Sequence, residues 1–349
     1  MSNITTSSLG LTLSLIQTRM SIIVMPFLLI FGSGGNILNA CIIRRKTFRT
    51  SSCSMYMGSA YFLYTLVLCF ALSTTLYSQY HTDPLTYSEF YCKIRQYLIS
   101  AIFSMARCCI GMACVDRYVI SSPNVNIRAF GRPRIARYII IFIILIWLIL
   151  PIHLIIFNTI QNHRCLMPGL YPYFFAAYAI IIAAIIPPGM MITFSILAAK
   201  NIQRIRRRIK PLPDHTNLSS NVITVTNNNN PNTIRLKKYD YQLLRMLCVD
   251  VTIYCISAVP SPIYYIYAAI TLKTTKSAEE TAWQNFFSYL TYQFLLYIAA
   301  STSLYTNLLV SKAYRNEFRL FINRYLLNRS NVPNNQPVQF IGTGANNGL

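Results

Sequence analysis

Residues 137–157 read RYIIIFIILIWLILPIHLIIF, and this run decides the fold class. After Arg137 the stretch contains no Asp, Glu, Lys or Arg through Phe157. A helix needs roughly 20 predominantly apolar residues to cross the hydrocarbon of a bilayer, and here they are consecutive. The whole chain follows suit: 349 residues, 54% hydrophobic and 11% charged, against about 25% charged in an average soluble protein. The remaining charge is lopsided, 31 Lys+Arg against 9 Asp+Glu for a net +22. A basic soluble nucleic-acid binder would keep a charged surface that this chain lacks, so a membrane protein is expected and a nucleic-acid partner is not.

Seven stretches have the length and character of spans, at about 20–43, 55–78, 91–119, 137–158, 172–198, 242–270 and 284–310. The second, third and seventh carry scattered Ser, Thr, Tyr and Gln, which suits helices facing protein rather than lipid. No cleavable signal peptide is expected, because residues 1–18 lack a basic start, and the first span serves as its own targeting signal. An odd number of spans puts the termini on opposite sides. Twenty-two Lys and Arg fall in one set of alternating segments, at 44–49, 128–137, 200–238 and 312–329; six fall in the other. The positive-inside rule then places residues 1–19 outside and the C-terminus in the cytoplasm. Asn3, in Asn3-Ile4-Thr5, becomes an available glycosylation acceptor, whereas the matches at Asn217 and Asn328 lie on the wrong side.

The longest interior loop, 201–238, is basic at both ends with a Thr/Asn-rich middle and reads as a flexible, solvated segment. Residues 312–326 place Tyr314, Phe318, Phe321, Tyr325 and Leu326 near one helical face, which predicts a helix lying on the anionic inner leaflet. The tail 327–349 is polar and Asn/Gly-rich, and is expected to be disordered.

The third span ends in Asp116-Arg117-Tyr118, Cys92 stands at its outer end, and Cys165 lies in the next exterior segment. Gly35-Asn36 in the first span, Trp147 in the fourth, Pro187-Pro188 in the fifth and Pro260 in the sixth add to the pattern, as does Tyr314-Arg315-Asn316-Glu317-Phe318. Over roughly residues 20–326 the chain resembles the rhodopsin-like G-protein-coupled receptors. The resemblance implies an all-α bundle of seven transmembrane helices with a short amphipathic eighth. It further implies a plasma-membrane receptor, not an enzyme, that carries an extracellular ligand's signal to heterotrimeric G proteins, with arrestin and membrane lipids as further partners. A disulfide between Cys92 and Cys165 is implied too; the other eight cysteines fall in spans or beside the cytosol. So is a latch in which Arg117 pairs with Asp116 and with Asp240, 20 residues before Pro260.

The departures mark a divergent orphan branch. Tyr64 replaces the family's second-helix aspartate, Ser303-Leu304-Tyr305-Thr306-Asn307 replaces the Asn-Pro-x-x-Tyr motif, and Ala258 replaces the sixth-helix tryptophan. These losses argue against a sodium pocket. Arg107 and Asp250 are ionisable residues inside the spans, which by default marks a functional site. With Tyr64 and Asn36 they are read as an intramembrane polar switch, Arg107 supplying the positive charge that sodium provides in relatives. Each lies 10 residues from its latch partner. Their depths therefore match while their azimuths do not, which favours a water- or tyrosine-mediated network over a direct pair.

Ile99 and Tyr297 stand where amine receptors carry an aspartate and opsins a lysine, so neither an amine nor retinal is expected. Tyr97, Phe103, Tyr264, Tyr265, Tyr289, Tyr292 and Gln293 complete an aromatic cup suited to a peptide or a small apolar ligand, although each aromatic alone equally suits packing or an interfacial belt. No cofactor or metal is expected, because His81, His153, His163 and His215 have no metal-ligand spacing. The competing readings are a seven-helix transporter or channel, which should show repeats or rows of buried charge, and a receptor that binds ligand without engaging G proteins.

Overall fold

The computed structural model describes residues 8–45, 48, 51–209 and 231–325, with side chains at all of these except 183, 205–209, 231–240 and 325. The helices are α1 (Ser8–Ile43), α2 (Ser52–Tyr80), α3 (Glu89–Ser121), α4 (Pro133–Phe157), α5 (Tyr171–Arg204), α6 (Tyr241–Ile270), α7 (Ala278–Val310) and α8 (Lys312–Tyr325). The first six are each long and apolar enough to cross a membrane. The seventh meets that test together with α8, from which it bends by 104°.

Local chemistry sets the ends. Ser88 caps α3 by accepting from the Tyr91 N–H, and Glu89 follows in the first turn. Pro133 opens α4 at a position that needs no N–H donor. Ser277 and Glu280 form a reciprocal capping box on α7. Wider π-helical turns interrupt α1 at Leu28–Gly32, α5 at Ala179–Ile185 and α7 at Leu290–Leu295. Such turns gather at functional sites, and two of these three border the cavity described below.

Two boundaries differ from expectation. The first helix begins at Ser8 rather than at 20: Thr12 and Thr18 return their hydroxyls to carbonyls four residues back, Ser14 to one three back. These polar residues thus satisfy themselves within the helix, which packs along the Ala278–Tyr289 part of α7. The loop expected at 201–238 is narrowed by helices running to Ile209 and starting again at Pro231. Residues 1–7, 210–230, Leu326 and the 327–349 tail lie outside the described residues.

Burial orders the bundle. Among the most apolar windows, 61% of residues in α2 and α3 are buried, against 22% in α4, 24% in α5 and 28% in α1. So α2 and α3 form the centre, while α1, α4 and α5 show apolar faces outward, as lipid contact requires. Close approach explains Gly35: a Cβ there would meet Leu304 Cβ of α7 at 3.2 Å. Its neighbour Asn36 donates to the Ala300 carbonyl at 2.9 Å, which ties α1 to α7. Trp147 of α4 is buried and donates its indole N–H to Cys108 Sγ of α3 at 3.0 Å.

Between α4 and α5 the chain forms a hairpin, β1 (Thr159–Gln161) against β2 (Arg164–Leu166), with Ile160 opposite Cys165. Asn162 and His163 turn it with φ of 50° and 56°, the left-handed pair that a two-residue hairpin demands. Cys165 bonds to Cys92 at the start of α3, Cα to Cα 5.7 Å. The hairpin is thereby pinned across one mouth of the bundle.

Candidate functional site

Two polar centres lie along α3, and a third ties α1, α2, α7 and α8 together. At the end remote from the disulfide, Arg117 donates to Asp116 Oδ2 at 2.7 Å and to the Ser51 hydroxyl at 2.9 Å. Ser52 donates to the other oxygen, Asp116 Oδ1, and its Oγ is also 3.1 Å from the Gly131 carbonyl oxygen. Arg117 is 2% exposed and Asp116 5%. The cluster is thus a desolvated ion pair whose carboxylate is held at both oxygens, with Ser51 and Ser52 supplied by the start of α2. Sequence reading missed these two serines. A Ser-Ser pair at a helix N-terminus was the available signal, but capping explains such a pair equally well. Tyr118 faces the other way, its ring 5.5 Å from that of Phe194 on α5. The side chain of Asp240, the expected second partner of Arg117, lies outside the described residues.

Halfway along the bundle, Tyr64, Phe103, Arg107, Asp250 and Tyr254 line a small cavity of about 20 Å³, room for roughly one water. Arg107 is 8% exposed. Its guanidinium carbon lies 5.2 Å from the Phe103 ring centroid and 5.1 Å from that of Tyr254. Asp250 accepts from Thr306 Oγ1 at 2.9 Å through Oδ1, and the Tyr61 hydroxyl lies in hydrogen-bonding reach of the same carboxylate. The ion pairs among the described residues are Arg45–Glu317, Lys93–Glu89 and Arg117–Asp116, so Arg107 and Asp250 share a cavity without a direct pair. Tyr64 lies within electrostatic reach of both. The energetics are poor for a structural role. Burying a guanidinium costs several kcal/mol even after relaxation, and a desolvated cation–π contact returns only about 2 kcal/mol.

Below α8, the Asn307 amide donates to Tyr61 Oη at 3.0 Å and to Asn39 Oδ1 at 3.2 Å, and Tyr314 donates to the same Asn39 oxygen. Residues standing where the family's seventh-helix motif would be thus build a polar knot joining α1, α2, α7 and α8.

Under the hairpin opens a cavity of about 510 Å³, within the range of small-molecule sites. Ile99, Phe103, Tyr264, Tyr265, Tyr292, Gln293 and Tyr297 all line it. Tyr289 does not: it accepts from Ser21 of α1 at 3.1 Å and lines a separate groove against the first turns of α1. Arg95, Gln96, Phe175 and Met167 also line the cavity and were not anticipated. Tyr264, Tyr265 and Tyr292 form a mutual aromatic cluster, with centroids 5.0 to 6.3 Å apart. Tyr254 and Arg107 border both the large cavity and the small one, so the two share a wall.

A family model described as 7 transmembrane receptor (rhodopsin family) matches residues 35–303. The chain belongs to that receptor family. It is a multi-pass membrane protein, and the family's members act as receptors that respond to extracellular ligands and engage G proteins. No curated protein matches this receptor. The matched region ends at Ser303, where the family's seventh-helix motif gives way to Ser303-Leu304-Tyr305-Thr306-Asn307.

Proposed function

We propose that this receptor sits in the plasma membrane with its disulfide-pinned mouth outside. It takes a small, largely apolar ligand into the 510 Å³ cavity and signals to a heterotrimeric G protein at the Asp116-Arg117-Tyr118 end. The observation that carries this reading is α3 itself. One continuous helix, Glu89–Ser121, lines the large cavity, supplies Arg107 to the wall between the cavities and ends in the buried Asp116–Arg117 cluster. A ligand that shifts α3 against α6 therefore acts on the cluster through one continuous packed element. Lys312 and Arg319 on α8 face anionic lipid, the same cytosolic surface serves arrestin, and Asn3 carries the glycan.

Asp240→Ala and Asp116→Asn each remove restraint from Arg117. Nucleotide exchange on purified G proteins of each class, driven by the variants in lipid discs, should exceed the wild-type basal rate. Exchange at the protein-free rate for every variant and every class would leave a receptor that binds ligand without coupling.

A further inference from the structure

Resting on the receptor reading above, we propose that the ligand carries an anionic group and that Arg107 is the residue that binds it. Arg107 is more than nine-tenths buried. It borders the large cavity, and the described residues give it two aromatic rings and no direct ion pair. The cavity is electrostatically one-sided. Its lining includes Arg95 and Arg107 and no Asp, Glu or Lys. Two cations on low-dielectric walls, with no anion among the lining residues, set up a positive potential that selects a negative occupant.

The two arginines are not equivalent. Arg95 is already engaged, its Nε donating to Thr74 Oγ1 at 3.1 Å and one Nη to Thr75 Oγ1 at 3.0 Å. Twelve residues of helix separate it from Arg107, about 18 Å along the axis. One small headgroup therefore cannot bridge both. Arg95 stands near the disulfide mouth, where its charge draws an anion inward. Arg107 stands deep, with five N–H donors in a planar fork that suits a carboxylate or a phosphate. Between them Ile99, Phe103, Tyr265 and Tyr292 offer an apolar and aromatic sleeve. The chemistry that fits is an amphipathic molecule with one acidic end and an apolar body.

The same geometry couples binding to the switch. Asp250 lies on the other side of Arg107, across the small cavity. Arg107 is thus placed between an acid of α6 and the acid of a ligand. A bound anion competes with Asp250 for the guanidinium and loosens α3 from α6.

The test uses the full-length receptor in neutral detergent with three ten-carbon probes: decanoate, decyl phosphate and decanol. Unfolding can be followed with a thiol-reactive dye, since Cys109 and Cys114 keep buried thiols outside the disulfide. The proposal expects one or both anions to raise the unfolding midpoint by about 5 °C at saturation, with decanol far weaker; which anion acts identifies the headgroup. Arg107→Met should weaken the anion about 10- to 100-fold, Arg107→Lys should retain part of the effect, and Arg95→Gln should retain most of it. Equal stabilisation by decanol, no shift with either anion, or a wild-type response from Arg107→Met would overturn it. So would loss of the effect in Arg95→Gln alone. If Arg107→Met does not fold, the contrast between acid and alcohol on wild type, with Arg107→Lys beside it, decides the matter. Decanoate binding through Arg107 without nucleotide exchange on any G protein would overturn the coupling reading and leave this one standing. Exchange driven only by neutral ligands would do the reverse.

Discussion

Tyr314, at the head of the surface helix, is wholly buried and donates its hydroxyl to Asn39 near the C-terminal end of α1. Burial pushes its phenol pKa above the ordinary value, so it stays a protonated donor across physiological pH. The bond links α8 to the Asn39–Asn307–Tyr61 knot, and the Arg45–Glu317 ion pair at 3.2 Å braces the same junction from outside. Tyr314→Phe keeps the ring and strips the donor. It should destabilise the receptor by about 1–2 kcal/mol, seen as a lower unfolding midpoint, whereas Arg45→Gln at the partly exposed pair should cost under about 1 kcal/mol. Equal losses from the two would remove Tyr314 from its anchoring role.

At the other end of α3, Ser52 holds the Asp116 oxygen that Arg117 leaves free. Ser52→Ala deletes that donor without touching the ion pair. If the serine helps keep the cluster closed, losing about 1 kcal/mol of differential stabilisation should raise basal nucleotide exchange about 5-fold. Ser51→Ala, which removes an acceptor from Arg117 instead, should act in the same direction. A fall in basal exchange for both would mean that the serines support the active arrangement.

The Cys92–Cys165 bond closes a loop with a sequence separation of 73. Cross-linking a loop of that length removes about 2–5 kcal/mol of unfolded-chain entropy in the usual account. Here it also fixes the hairpin whose Cys165 and Leu166 line the large cavity. Cys92→Ser should lower the unfolding midpoint and weaken the decanoate effect together. A midpoint shift with probe binding intact would show that the hairpin needs no staple to form its part of the site.

The seven spans were legible because hydropathy over some 20 residues is a strong signal. The Ser8 start was not, since Ser and Thr score as polar although Thr12 and Thr18 bond back within the helix. The π-helical turns left no mark in the sequence, and Tyr289 turns to a groove beside α1 while Tyr292 lines the cavity. Arg107 and Asp250 were legible as a pair of buried charges, and counting residues predicted equal depth with unequal azimuth. The serines that hold Asp116 were not, because they come from another helix and only the packed bundle brings them there.

Arg107 also tests whether its charge is kept for folding or for function. A guanidinium set between two rings, with no carboxylate within ion-pair distance, should weigh on stability. Arg107→Met, close in length and apolar, should therefore raise the unfolding midpoint of the ligand-free receptor, by about 1–4 kcal/mol of stability. Asp250→Asn should change stability less, because Thr306 can still donate to the amide oxygen. Both variants should alter signalling: Arg107→Met by losing the agonist response, Asp250→Asn by raising basal exchange as the pull on Arg107 weakens. A more stable receptor that no longer responds is the outcome expected of a functional charge. A less stable receptor that responds normally would make Arg107 a structural residue and Asp250 its water-bridged counter-ion, and normal activation by both variants would remove the polar switch altogether.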